Sequence, residues 1–291
     1  MSFSPLFCDI CGVANRPQAT FCFSCGQFLH TSTATKSALG SATGLLNYNT
    51  LINQRYRILS QVGKGGFGAV YKAADTQLSN RLVAIKEMSQ SSLSPQELLE
   101  ATETFKREAN MLANLTHPHL PRIYEQFSEM GRWYLIMDFI AGETIESYLS
   151  HSGGKLPLEK VLDLGIQMCT VLDYLHNCQP PIIFRDLKPA NIMLSPNGHL
   201  YLIDFGIARH FKPGQARDTT AFGSTGYAAP EQYGKAQTTP RADIYSLGAT
   251  LHQLLTGNDP TDSPFNFAPL PGQTNPPELN LLISKIGRAH V

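Results

Sequence analysis

The sequence lacks any imbalance of charge. Its 291 residues carry 23 basic and 23 acidic side chains, for a formal net charge of zero. Bulk electrostatic attraction to nucleic acid or to an anionic membrane therefore has no source here. Long apolar runs are also missing: nowhere do the ~18 consecutive apolar residues of a spanning helix occur. The N-terminus has no basic segment leading into an apolar one, so no secretory signal is expected. Cysteine is scarce outside one place. Of six cysteines, four lie before residue 26 and only Cys169 and Cys178 lie beyond it. A secreted disulfide scaffold would spread them more evenly. The clustering fits a metal site in a reducing, cytoplasmic compartment better. The length allows a large core and more than one domain.

What is there begins with Cys8-x-x-Cys11 and Cys22-x-x-Cys25, each followed by glycine, Gly12 and Gly26. Two thiolates three positions apart can grip one ion from a tight turn. Two such turns supply the four soft ligands of a structural Zn²⁺ site. Two disulfides or a redox pair are the alternatives. The segment resembles a zinc ribbon over residues 6–30. Its arm from Gly12 to Phe21 holds one Arg, so a protein partner is expected for it and nucleic acid is not. The Ser, Thr, Ala and Gly-rich stretch that follows, 31–52, reads as a flexible linker, with Leu45, Leu46 and Tyr48 as residues able to pack.

From Gln54 the pattern changes. Tyr56–Leu59, Leu82–Lys86 and Trp133–Met137 read as strands. Ser94-Pro95-Gln96-Glu97 has the wording of a capped helix start, with the helix expected to reach about Asn114. After Gly142 helices dominate, Leu158–His176 being the clearest. A sheet-rich lobe thus precedes a helical one, and a cleft between lobes is a natural ligand site.

Gly63-x-Gly65-x-x-Gly68-x-Val70 lies between two strand signals. Alone the motif is weak, because dinucleotide-binding domains use a similar spacing. There, however, a helix follows directly; here Ala69–Ala73 reads as a strand, which favours a hairpin over ATP. Further on, Phe184-Arg185-Asp186-Leu187-Lys188-Pro189-Ala190-Asn191 places an Asp, a Lys and an Asn on one short loop, and Asp204-Phe205-Gly206 supplies a second Asp. Such a set can take a proton from a hydroxyl, screen a moving phosphoryl group and hold Mg²⁺.

With Val83-Ala84-Ile85-Lys86 and Ala229-Pro230-Glu231, these motifs resemble eukaryotic-like Ser/Thr protein kinases of bacterial, cyanobacterial type, over about residues 54–286. The resemblance implies an α+β, bilobal protein-kinase-like fold preceded by the small zinc ribbon: ribbon 1–30, linker 31–52 and kinase domain 53–291, with a β-rich N-lobe 53–140 and a helical C-lobe 141–291. It implies transfer of the γ-phosphoryl of Mg·ATP to Ser or Thr of protein substrates. Lys86 would contact the α and β phosphates and pair with Glu108, although Glu103 and Glu100 share roughly that helix face. The glycines 63, 65 and 68 would cover the phosphates. Val70 and Ala84 would roof the adenine, with Met193 as floor, Met137 as gatekeeper and Asp138 to Ile140 as hinge. Asp186 would be the base and Lys188 the charge screen, with Asn191 and Asp204 as Mg²⁺ ligands. Ser224 would touch Asp186 and Lys188. Thr220, and after it Thr219, are the candidate phosphorylation sites, with Arg185 as the phosphate's partner, and Asp243 would clamp the loop backbone.

Two departures stand out. Phe184 replaces the family's His; it can stack with Leu112, Ile123 and Phe205 but offers no polar bond. Activity is expected to survive, with the balance of active and inactive forms shifted. The C-terminus is expected to lack the last helices and the Arg partner of Glu231, and residues 286–291 read as foreign sequence. The competing expectations are a nucleotide-binding pseudokinase or scaffold that uses the ribbon as a contact module, and a metabolite kinase. The Ser224 to Glu231 region argues against the latter, since it reads as a peptide platform.

Overall fold

The computed structural model describes residues 6–7, 14–16, 43–65, 68–89, 95–204, 224–233, 238–270 and 278. Near the N-terminus β1 (Leu6–Phe7) and β2 (Ala14–Asn15) pair antiparallel, Leu6 with Asn15 and Phe7 with Ala14. The ladder brackets Cys8 and Cys11 in sequence. All four N-terminal cysteines, Cys8, Cys11, Cys22 and Cys25, lie outside the described residues, as do Phe205, Thr219, Thr220 and residues 286–291.

The first lobe is one antiparallel sheet. Its strands are β3 (Leu51–Ile52), β4 (Tyr56–Gly65), β5 (Gly68–Asp75), β6 (Arg81–Ser89), β7 (Ile123–Glu129) and β8 (Arg132–Asp138), in the order β3-β4-β5-β6-β8-β7. Side chains alternate between the two faces with period two. Tyr71, Ile85 and Ile136 therefore join Tyr56 and Ile58 in one apolar layer. Leu135, Trp133 and Met88 turn the other way and meet α1 (Pro95–Ala113) through Phe105, Ala109 and Leu112. The rings of Phe105 and Trp133 stack at 5.5 Å. This helix begins where Ser94-Pro95 suggested and ends one residue before Asn114.

The second lobe is helical. After β9 (Glu143–Thr144) comes α2 (Ile145–His151), capped by Thr144 Oγ1, which accepts from Ser147 N at 3.1 Å. Next are α3 (Leu158–His176), the short strands β10 (Ile192–Leu194) and β11 (Leu200–Leu202), and α4 (Pro240–Thr256). Val161, Leu164, Met168, Val171, Leu172 and Leu175 follow helical spacing on α3 and are buried. They pack with Phe184, Leu187, Leu247 and Leu254 in the main core of this lobe. Cys169, next to the buried Met168, is exposed, on the side of α3 that also leaves Leu162 and Ile166 open. Among the described residues no helix is long and apolar enough to cross a membrane.

One expected boundary differs. Residues 43–52, read from composition as tether, are tied to the sheet at Gly44, Leu46 and Ile52, while Leu45 and Tyr48 stay exposed. Ile52 is buried, and Leu46 joins the Tyr56–Tyr71 layer. The amides of Gly44 and Leu46 find acceptors in Glu87 and Tyr71, at 2.7 and 3.2 Å. Satisfied backbone donors and buried apolar area offset the entropy that composition alone would leave to a linker.

Candidate active site

The glycine-rich motif forms the hairpin β4–β5, with Gly63 opposite Val70, Lys64 opposite Ala69 and Gly65 opposite Gly68. A strand, not a helix, follows the glycines. Gly68 is held at φ 144°, and a Cβ there would lie 1.8 Å from the Glu87 carbonyl oxygen, so only glycine fits.

Register places the next residues. Val70 pairs with Lys86, and Ala84 with Met137, so Val70, Ala84, Lys86 and Met137 share one face of the sheet. Asp138 ends β8. Its carboxylate accepts from Arg122 N at 2.9 Å and pairs with Arg81 at 3.0 Å, while its own amide donates to Arg122 O at 2.9 Å. That amide is thus already committed. Ile140 follows, half-buried, and Met193 sits half-buried in the centre of β10, opposite Tyr201 and Thr144. The sequence did not single out Lys72, whose ammonium lies 4.8 Å from the Phe139 ring centre. Its register partner is Ala84, so it extends the row of Val70 toward the end of β8.

Lys86 is buried and forms its ion pair with Asp204. A strand of the first lobe thereby touches the loop after β11 in the second. The sequence reading gave Lys86 to Glu108. Glu108 is half-buried on α1, and burial pushes its carboxyl up to about 7. The nearby cations Arg107 and Arg185 act in the opposite direction.

The polar loop is tightly connected. Asp186 and Asn191 are both buried. Asn191 Nδ2 donates to Asp186 Oδ2 at 2.7 Å and to its carbonyl at 2.8 Å. Asp186 Oδ1 accepts from Ser224 N at 3.1 Å and from Ser224 Oγ at 2.9 Å. Lys188 Nζ donates to Ser224 Oγ at 2.6 Å and lies 3.5 Å from Asp186 Oδ2. Asp186, Lys188, Asn191 and Ser224 therefore form one cluster.

Beneath it Asp243, near the start of α4, is fully buried. Its Oδ2 accepts from Phe184 N at 2.9 Å and its Oδ1 from Arg185 N at 2.7 Å. These bonds hold Arg185 at φ 69°, a left-handed conformation uncommon for a residue with a side chain. Two supports escaped sequence reasoning. His176 Nε2 lies 2.7 Å from Asp243 Oδ2, and Gln232 Nε2 donates to the Arg185 carbonyl at 3.1 Å. Gln232 follows Ala229-Pro230-Glu231 directly, which was the only signal available for it. Phe184 is buried in the second-lobe core, whereas Leu112 and Ile123 belong to the α1 cluster.

A β-rich lobe over a helical one, with a lysine-bearing strand meeting an acidic loop between them, is the bilobal architecture of protein-kinase-like proteins. The sequence profile of the protein kinase domain matches residues 56–266, and the chain belongs to that family. It is similar to the probable serine/threonine-protein kinase PknB of Lactococcus lactis subsp. lactis (strain IL1403), with 34% identity over 219 residues, covering 75% of this chain and 34% of that protein. With the probable serine/threonine-protein kinase SCO3848 of Streptomyces coelicolor (strain ATCC BAA-471 / A3(2) / M145) it shares 37% identity over 223 residues, 74% of this chain and 32% of that one. Against serine/threonine-protein kinase PrkC of Bacillus subtilis (strain 168) the figures are 35% over 212 residues, 72% and 32%. The chain spans about a third of the length of these curated relatives. Among solved structures it is similar to PpkA-294 in its apo form, with TM-score 0.69 and 27% identity over 83% of this chain and 92% of that chain.

Proposed function

We propose that the chain is a Mg·ATP-dependent Ser/Thr protein kinase with Asp186 as base. The observation that carries this reading is the convergence of Ser224, Asn191 and Lys188 on the two oxygens of one buried carboxylate. Asn191 fixes the Asp186 carboxylate from one side. The other oxygen is bonded to Ser224, at the start of the Ser224 to Glu231 region read as the peptide platform, where an acceptor hydroxyl would enter and give up its proton. Lys188 lies beside the same oxygens and screens charge on the transferred group. Lys86 reaches across from the first lobe; its pairing with Asp204 keeps both charges compensated, and phosphate oxygens would compete for the ammonium.

The residues fit the nucleotide and its metal. Gly68 brings backbone where no side chain fits, and Asn191 and Asp204 offer the hard oxygen donors that Mg²⁺ takes. When bound, Mg²⁺ neutralises charge on the phosphates; positioning and fixed charges of the chain supply the rest. Val70 and Ala84 are assigned to the adenine roof, Met193 to the floor and Met137 to the gatekeeper position. Glu108 is assigned as the partner of Lys86 in the engaged form. Regulation is assigned to Thr220 or Thr219, with Arg185 as phosphate partner. The four N-terminal thiols have the donor chemistry of a Zn²⁺ ribbon, which needs a reducing compartment such as the cytoplasm and serves as a protein contact. The units proposed are the ribbon 1–30 and the kinase domain 53–291; of the stretch 31–52 between them, residues 43–52 are held by the sheet and count with the domain.

The test is transfer of radiolabel from ATP to a basic protein substrate by the full chain and by D186N. Label on Ser or Thr with wild type and none with D186N is expected. Equal label with both would overturn the role of Asp186. A folded chain that binds ATP but transfers nothing would favour the scaffold reading, which the Lys86–Asp204 pairing also suits.

A further inference from the structure

Glu87 follows Lys86 on β6, and the strand's alternation turns its side chain to the opposite face of the sheet. It is fully buried, yet its carboxylate is well supplied with donors. Oε1 accepts from Arg132 Nη1 at 2.9 Å and from Tyr134 OH at 3.3 Å. Oε2 accepts from Tyr71 OH at 3.0 Å and from the amide of Gly44 at 2.7 Å. The Tyr71 hydroxyl also accepts from Leu46 N at 3.2 Å. The amides of Gly44, 43 residues before Glu87, and of Leu46, 25 residues before Tyr71, are therefore held by Glu87 and Tyr71.

The same place holds the glycine-rich hairpin. Ala69 pairs with Glu87, and Gly68 packs on the Glu87 carbonyl. Gly44, at φ 80°, lies against the Lys64 side chain in the other arm of the hairpin: a Cβ there would come within 3.0 Å of Lys64 Cδ. Residues 44–46 thus touch both arms of the hairpin through Lys64 and Tyr71, and the strand of Lys86 through Glu87. Leu46 adds apolar contact with the layer behind them.

We propose that residues 44–46 are a strap that holds the glycine-rich hairpin and Lys86 in the geometry that grips nucleotide, with Glu87 as its positioning residue; this rests on the kinase reading of that hairpin and lysine. A charge-assisted bond from a backbone amide to a buried carboxylate is among the stronger ones available. Losing it leaves Oε2 short of a donor in a site closed to water. The hairpin then loses a support on the side away from the nucleotide. Residues before the family's matched segment thereby support the nucleotide site from behind.

The full chain carrying G44P tests this. Proline has no amide hydrogen and cannot adopt φ 80°. Hydrogen exchange is measured without nucleotide, and Mg·ATP affinity by calorimetric titration. Exchange is expected to speed up about tenfold at residues 61–72 and 84–88 while α3 and α4 stay within about twofold, and the Kd for Mg·ATP is expected to rise about tenfold. Y71F, which removes the hydroxyl shared by Leu46 and Glu87, should shift both readouts in the same direction and carries the test if G44P does not fold. Unchanged exchange at 61–72, or an equal increase throughout the chain, would overturn the strap. Wild type that binds no Mg·ATP while G44P still loosens the hairpin would overturn the nucleotide reading and leave the strap's hold supported.

Discussion

Substitution of Asp243 tests whether the loop that carries Asp186 is held from below. The carboxylate accepts from Phe184 N, Arg185 N and His176, at 2.9, 2.7 and 2.7 Å, and none of it reaches solvent. D243A leaves two backbone amides in the interior without these acceptors. Each such donor costs about 1–3 kcal/mol. Relaxation of Arg185 from its left-handed angle returns about 1 kcal/mol. The net loss expected is about 3–4 kcal/mol, close to the ~3–5 kcal/mol typical of breaking a buried charged network. Against a domain stability of about 5–15 kcal/mol this leaves a folded but weakened protein. At ~2–4 °C per kcal/mol its Tm should fall by about 10 °C. Asp186 is the next residue after Arg185, so kcat should drop by about a hundredfold, the effect of an ångström-scale displacement of a reacting group. D243N keeps one acceptor oxygen but turns an NH₂ toward a donor, and should fall between. Differential scanning fluorimetry and radiolabel transfer, both at a temperature where D243A is folded, separate the two effects. A large Tm loss with wild-type kcat would refute the link between the Asp243 clamp and the base; an unchanged Tm would refute the energetics.

Removing the hydroxyl in S224A should lower kcat/KM for a protein substrate about tenfold, the value of one hydrogen bond to a charged group, with the KM for ATP and the Tm little changed; an equal rise in the KM for ATP would contradict the placement. Glu108 gives a pH signature. Its carboxyl ionises near 4.5 in the unfolded chain and is pushed up to about 7 by burial in the fold. The unfolded state thus loses its proton first, so this group lowers stability progressively as pH rises from about 4.5 to 7 and adds no further change above that. E108Q should remove that slope, and urea titrations at pH 5 and pH 8 that show the same wild-type-to-variant difference would reject it. Purified protein should carry one Zn²⁺ per chain by elemental analysis, lost in a C8S/C11S variant; zinc-free protein with two N-terminal disulfides would replace the ribbon reading.

The elements most legible in the sequence were those whose cause is local. The apolar spacing of α3 gave both of its ends, because one face of a helix must be buried along its whole length. The strand after Gly68 was readable because Val70 and Tyr71 favour strands and no helix start follows the glycines; the alternation of buried and half-buried residues along it appears only in the fold. Asp186, Lys188, Asn191 and Ser224 were named from motif wording, and the structure supplies their distances. What stayed hidden needs three bodies to see. Nothing in the sequence near His176 or Gln232 says that Asp243 and the Arg185 carbonyl wait for them. Gly44 sits in a stretch whose Ser, Thr and Gly content reads as tether, and its acceptor is 43 residues away. The choice of Lys86 between Glu108 and Asp204 depends on how α1 and the loop after β11 are placed, which no local pattern encodes.

The neighbouring pair Lys86 and Glu87 sets a limit on how this lobe can diverge. Insertion of one residue in β6 would exchange the two faces, placing a carboxylate in the cleft and an ammonium in the apolar layer against Arg132. Lengthening the strand by an odd number of residues is therefore closed to drift. Gains and losses of residues are channelled into the reversals at Thr76–Asn80 and Met130–Gly131, where Ser79, Asn80, Met130 and Gly131 already hold the left-handed angles that absorb a change of loop.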